Sequence, residues 1–206
     1  LPAYPGVDHA AVAAVATAIV ARRTIKQFAA QPVPRELLQY LLELAVWAPN
    51  HQLTEPWRFY VLDGVSILRV AEIGRQVATA KLLRNGAEQE VAQRKAEGVA
   101  QEWAAVPALV LVTMVSDPDA FRDRENYGAV CCAIQNFMLG AQTLGLSTFW
   151  GTGEVAFTPA LAELVGAGAN EQVVGLLRIG YAQPGTPKQS RRTESATFTR
   201  WVDGTE

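Results

Sequence analysis

The stretch over residues 125–144 constrains the fold more than any other. Val130, Ile134, Phe137, Met138, Ala141 and Leu144 recur at helical spacing, and Ala129, Cys131, Cys132, Ala133 and Leu139 fill the positions between them. A helix that is apolar almost all the way round cannot lie on the surface of a core, so it has to be covered on nearly every side. The run over 108–114, Ala-Leu-Val-Leu-Val-Thr-Met, is a second constraint: it has the length of a strand, is rich in β-branched residues and shows no polar alternation. That pattern fits a central strand covered on both faces. With 206 residues, half of them hydrophobic, the chain has material for one well-buried core and is expected to form a single domain over 1–206.

The remaining elements follow in order. Asp8 is placed to cap a helix over 10–21, with Val12, Val15, Ala16, Ile19 and Val20 on its apolar face. Gln31-Pro32-Val33-Pro34 then imposes an extended link, because each proline bars its predecessor from the helical region. A second helix, from Pro34 or Arg35, carries Leu37, Leu41, Leu44, Ala45 and Ala48 on one face and Leu38, Leu42 and Val46 on another, and stops at Ala48-Pro49-Asn50-His51. Residues 58–62 read as a short strand closed by Asp63-Gly64. Residues 66–103 read as two mostly polar helices, broken near Asn85-Gly86 and Gly98, that face solvent or form a lid. Residues 147–150 form a strand, Thr158-Pro159 opens a helix with Thr at the cap and Pro at the first position, and 172–181 is the last strand. Beyond it, residues 182–206 are polar and irregular, with Lys188, Arg191 and Arg192 ahead of Phe198 and Trp201. Helices outnumber strands and no repeat is visible, so the fold class is α+β, layered around a small sheet.

Composition removes several functions. A net charge of −2 argues against a nucleic-acid binder driven by overall charge. No apolar run approaches the roughly 18 residues of a membrane span. The first 20 residues lack a basic leader pattern, so a cytoplasmic location is expected. His9 and His51 have no partner at metal-ligand spacing, and Cys131-Cys132 reads as two reduced, buried thiols, a vicinal redox pair being the sharper alternative. There is no nucleophile elbow, no phosphate loop, and no complete dinucleotide fingerprint.

What remains is a basic cluster, Arg22-Arg23-Thr24-Ile25-Lys26-Gln27-Phe28, at the end of the first helix. The modest reading is a solvated terminus whose cations complement the helix dipole. The functional reading is an anion site, since so many donors in an otherwise acidic chain call for a phosphate or an electron-rich ring. Taken together with three other segments, the cluster resembles the nitroreductase-like family of FMN-dependent oxidoreductases, in particular its small, minimal members. The matching segments are Arg22 to Phe28; Pro32-Val33-Pro34 with the leucine-rich helix, Ala48-Pro49-Asn50-His51 and Glu55-Pro56-Trp57; the helix ending Leu144-Gly145-Leu146 before a strand and Gly151-Thr152-Gly153; and Ile179-Gly180-Tyr181 ahead of the basic tail.

The resemblance implies a three-layer fold with a small, mixed but mainly antiparallel sheet. It implies an intertwined homodimer with FMN at the subunit boundary and the 182–206 tail reaching the partner. It implies a small-molecule acceptor, with NADH or NADPH as reductant and no general acid or base, since hydride passes through flavin N5. By position, Arg22 would grip phosphate and ribityl chain, Thr24 would hydrogen-bond nearby, and Lys26 would sit at the N1/O2 edge, with Arg23 also among the cofactor-binding residues. Pro49, Asn50, His51 and Leu53 would pack on the ring from the other subunit. Trp150, Gly151, Thr152 and Gly153 would run along the ring and offer a backbone N–H, and Arg191 with Lys188 or Arg192 would complete the phosphate clamp. Many relatives carry Asn in place of Leu53 and Gln in place of Glu55, which weakens the expectation of side-chain bonds from this loop. Within the same resemblance lie specialised flavin chemistry, such as dehalogenation or cyclic-amine oxidation, and, from another class, a flavin-holding protein without turnover.

Overall fold

The computed structural model describes residues 6–185 and 190–202. Along the chain it places α1 (His9–Ala21), α2 (Arg35–Ala45), β1 (Trp57–Leu62), α3 (Gly64–Arg84), α4 (Gln89–Ala104), β2 (Ala108–Val115), α5 (Ala120–Thr143), β3 (Ser147–Gly151), α6 (Pro159–Val165) and β4 (Glu171–Gly180). The strands form one sheet in the order β1-β2-β4-β3, each pair antiparallel. The mixed character expected of the sheet comes from a parallel bridge between Thr24 and Thr148, which lays the basic segment along the edge of β3.

The run expected to be a central strand is β2, flanked by β1 and β4, and every residue from Ala108 to Met114 is at most 1% exposed. Both faces are covered because the sheet is the middle of three layers. On one face α5 and α2 enclose Val110, Val112, Met114, Leu177 and Ile179. On the other, α3, α4 and α6 enclose Leu109, Leu111 and Leu176. Close approach on the first face depends on Gly140 of α5, where a β-carbon would lie 2.7 Å from Leu44 and 2.9 Å from Leu41 of the α2 side.

Several boundaries differ from the sequence expectation. Helix α5 begins five residues before Glu125, because Asp119 accepts hydrogen bonds from Phe121 N and Arg122 N at 2.9 and 3.0 Å. Its first turns are polar, so hydropathy alone gave no sign of them. Residues 66–103, expected to face solvent, bury one side in the second core: Ile67, Val70, Ala71 and Gly74 of α3, and Ala92, Ala96 and Trp103 of α4. Most of these residues are small, which flattens the amphipathic contrast a sequence can show. Asn85-Gly86 does separate the two helices, but Gly98 lies inside α4 with open space around it rather than breaking it. Of the two thiols expected to be buried, Cys131 is partly buried and Cys132 is exposed on the single chain.

Candidate functional site

The basic cluster divides its cations between two roles. Arg23 turns back on α1 and donates to the carbonyls of Val20 and Arg22, closing the carboxyl end of the helix. Arg22 is released from that role. It caps α1 with ψ 128°, which carries the chain into extended backbone. Ile25 N then donates to Thr148 O at 3.1 Å, and burial of Ile25 and Phe28 leaves Thr24, Lys26 and Gln27 outward. The tail comes back to the same place: the Arg22 guanidinium is held below its ordinary pKa by burial, then by the charge of Arg192, then by Arg23. No ion pair to a carboxylate relieves any of the three among the described residues. Three converging guanidiniums without an acid form a site for a multiply charged anion.

Beside β3 lies a cavity of about 270 Å³, walled by Phe149, Leu176 and Arg178 of the sheet, by α3, and by the 151–156 backbone. A β-carbon at Gly151 would meet the Phe149 ring at 2.7 Å, whereas one at Gly153 would meet nothing within 4 Å. Gly151 thus makes room for an aromatic wall, and Gly153 leaves the backbone bare. The short turn Glu154–Phe157 that follows has no side-chain cap, so its leading N–H groups remain donors beside the cavity. Lys81 of α3 reaches across to Glu154 at 3.4 Å. The side chain of Trp150 points the other way: its indole donates to Val174 O at 3.4 Å, and the ring packs with the α5-side core. Gly175 makes this possible, since a β-carbon there would fall 2.1 Å from the indole nitrogen.

The Pro49–Leu53 loop is not part of this site within one chain. His51 Nδ1 lies 2.7 Å from Glu125 Oε2, and Thr54 Oγ1 donates to Asn126 Oδ1 at 3.0 Å, which fixes the loop to the N-terminal part of α5. The basic segment joins β3 just past the other end of that helix, whose 24 residues span about 36 Å. The loop is held in an unusual shape. Gln52, Leu53 and Glu55 have φ of 54°, 53° and 43°, the only non-glycine residues with positive φ among those described. Asn50 locks them by accepting from Glu55 N at 3.0 Å and donating to Ala48 O at 3.3 Å.

The structure therefore strings Arg22, Arg23, Thr24 and Lys26 along β3, with Arg192 beside Arg22 and with Gly151, Thr152 and Gly153 at the strand's far end, and holds Pro49, Asn50, His51 and Leu53 apart. Of the tail cations, Arg192 bears on Arg22, Arg191 is exposed, and Lys188 lies outside the described residues. Sequence reasoning missed Lys81, Phe149, Glu154 and Arg178. Only Arg178 gave a signal there, as a charge within the otherwise apolar run over residues 173–179.

An elongated ligand with a polyanionic end and a flat ring suits this arrangement: guanidiniums at one end, a bare backbone beside an apolar cavity at the other. Residues 19–181 match the model of the Nitroreductase family. The 4-nitrobenzoate reductase of Nocardioides sp. (strain LMS-CY) is 27% identical over 217 residues, covering 88% of this chain and 85% of that protein. The solved nitroreductase-like family protein from Bacillus cereus is 26% identical with a TM-score of 0.79, covering 99% of this chain and all of its own. A nitroreductase from Bacteroides fragilis NCTC 9343, solved with bound FMN, shares the fold at TM-score 0.69 and 22% identity, over 91% of this chain and 98% of its own.

Proposed function

Because the chain belongs to the nitroreductase family, we propose that it is an FMN-dependent NAD(P)H oxidoreductase that reduces nitroaromatic, quinone or other conjugated acceptors and works as a homodimer. The observation that carries this reading is the convergence of Arg22, Arg23 and Arg192, with no ion-paired carboxylate among the described residues, at the head of a segment that runs along β3 toward a glycine-lined cavity. When bound, FMN supplies the hydride relay through its N5. The chain supplies placement and charge. Arg22 and Arg192, with Arg191 and Lys188 in reserve, hold the phosphate by charge-assisted bonds. Thr24 and Lys26, facing outward from the extended segment, hold the ribityl chain and the pyrimidine edge. The bare backbone around Gly153 offers N–H donors to the ring and leaves one face free for reductant and acceptor in turn.

The dimer is part of the reading. One chain exposes Val15 (59%) and Val20 (69%) on α1, Trp47 (83%) after α2, Leu53 (80%) in the strained loop and Phe121 (66%) on α5. Apolar residues so numerous and so exposed mark an interface. A second copy running antiparallel along α5 would bring its Pro49–Leu53 loop, with His51, to the cavity that this loop cannot reach in its own chain. It would also receive the tail, where Phe198 is 78% and Trp201 85% exposed. No helix among the described residues is long and apolar enough to cross a membrane.

A visible absorption spectrum of the purified protein, followed by titration of the stripped protein with FMN, tests the reading at its base. Yellow protein with stoichiometric FMN, and NADH or NADPH oxidation that needs both FMN and menadione, is the expected result. Colourless protein that FMN neither binds nor stabilises would refute it, and flavin binding without turnover would leave a flavin-holding protein. Sedimentation at micromolar concentration should give a dimer.

A further inference from the structure

One charge in the cavity wall has no ion-pair partner among the described residues. Arg178 leaves β4 on the α3-α4 side, its guanidinium carbon 3.8 Å from the centre of the Trp103 ring and 5.0 Å from that of Phe149. Its Nε is buried and makes no hydrogen bond. No carboxylate lies within ion-pair distance of it among the described residues. Burial pushes the guanidinium pKa down, and the more distant charge of Glu102 only partly offsets this. Removing a cation from water without a counter-ion is expensive, and a leucine or methionine would fill the same space between two rings without that cost. Stacking on the Trp103 ring offsets part of that cost, and a negative charge on a bound ligand would offset the rest.

The position of the group indicates what would use it. Arg178 lines the 270 Å³ cavity and also a neighbouring one of about 300 Å³ that it shares with Lys26 and Glu102. The Lys26 ammonium lies 5.9 Å from the same Phe149 ring that Arg178 faces. Two cations thus bracket one aromatic ring where the two cavities meet. They differ in setting: Lys26 is exposed on a flexible stem, while the Arg178 guanidinium is clamped between two rings in a poorly solvated place.

We propose that Arg178 is a second cation of the cofactor site, acting with Lys26 to favour the reduced, negatively charged form of the bound flavin over the oxidised form. The inference rests on the FMN reading above and adds to it a residue outside the basic cluster. Reduction places negative charge along the N1–C2=O edge of the ring system, and a fixed, desolvated cation nearby favours that state more than a solvated, mobile one does. Trp103 and Phe149 act as positioning residues, holding the guanidinium plane.

The test is the midpoint potential of bound FMN, by equilibrium reduction against indicator dyes, in the wild type, Arg178→Met, Arg178→Lys and Lys26→Met, with FMN dissociation constants for the oxidised form. Arg178→Met is expected to lose at least tenfold in preference for reduced over oxidised FMN, about 30 mV for a two-electron couple. Its shift should exceed that of Lys26→Met, its oxidised-FMN affinity should change less than threefold, and Arg178→Lys should recover part of the potential. If Arg178→Met does not fold, as judged by circular dichroism, Arg178→Gln carries the same measurement. A neutral variant that holds FMN at the wild-type potential overturns the inference and leaves Arg178 as packing. A wild type that binds no FMN overturns instead the reading on which it rests.

Discussion

The two ends of α5 store free energy in opposite ways. At the β3 end the backbone is relaxed and extended, and the cost lies in charge: Arg22, Arg23 and Arg192 crowd together with no ion-paired acid among the described residues. At the other end the side chains are paired, His51 with Glu125 by a hydrogen bond, and the cost lies in the backbone, where Gln52, Leu53 and Glu55 sit at positive φ. Unrelieved charge is what a site looks like when its ligand binds within the same chain. A strained loop locked by hydrogen bonds, presenting an 80%-exposed Leu53, is what a surface looks like when it is shaped for another molecule. We therefore propose ligand binding for the first region and presentation for the second.

The most direct way to break the comparison is to remove the central charge. Arg22→Ala should weaken FMN binding by about 1.5–3 kcal/mol, roughly 10- to 150-fold in Kd, through loss of a charge-assisted bond. Because that guanidinium is crowded by like charge, thermal stability of the FMN-free protein should hold or rise slightly. An unchanged Kd by fluorescence titration would contradict the assignment of this end as the binding end. Next in size, Arg192→Ala should cost about tenfold in Kd, and Arg191→Ala less than about threefold, because only Arg192 bears on Arg22. The reverse order would mean that the tail takes another path when FMN is bound.

These assignments depend unequally on sequence and on structure. The central strand, the buried helix and the cap at Asp8 were legible because hydrophobic period and side-chain chemistry act locally. The basic cluster was legible as a cluster, but not the division of labour within it: that Arg23 closes α1 while Arg22 is free depends on which carbonyls lie within reach. Residues 66–103 were misjudged because more than half of their buried positions are alanine and glycine. At Gly74 a β-carbon would come within 2.6 Å of Trp103, so the contact is made by a missing side chain, which hydropathy does not register. Arg178 was visible as an odd charge in a strand, but its meaning required seeing Trp103 arrive from α4, 75 residues earlier in the chain.

At the strained end the effects are smaller and fall on stability first. Asn50→Ala removes both hydrogen bonds that lock the loop, leaving Glu55 N without its acceptor. It should destabilise by about 1 kcal/mol, a fall of roughly 2–4 °C in Tm by calorimetry. If the loop serves the site of a second copy, the dimer's FMN affinity should fall as well, although the loop touches nothing in the binding region of its own chain.

Gln52→Gly should give the smallest change and the sharpest one. At φ 54° and ψ 23° a glutamine pays about 1–2 kcal/mol for the left-handed region, and glycine does not. Glycine gives back roughly 0.5–1 kcal/mol through the greater freedom of the unfolded chain. The net gain is about 0.5 kcal/mol, some 1–2 °C in Tm. If the strain is incidental, the variant is more stable and otherwise unchanged. If it holds His51 and Leu53 in a shape that another molecule reads, the added stability comes with weaker dimerisation or faster FMN loss, because glycine also lets the loop leave that shape. A variant that gains stability with sedimentation and FMN release unaltered would show that the strained loop presents nothing, and the contrast between the two ends of α5 would then be one of backbone geometry alone.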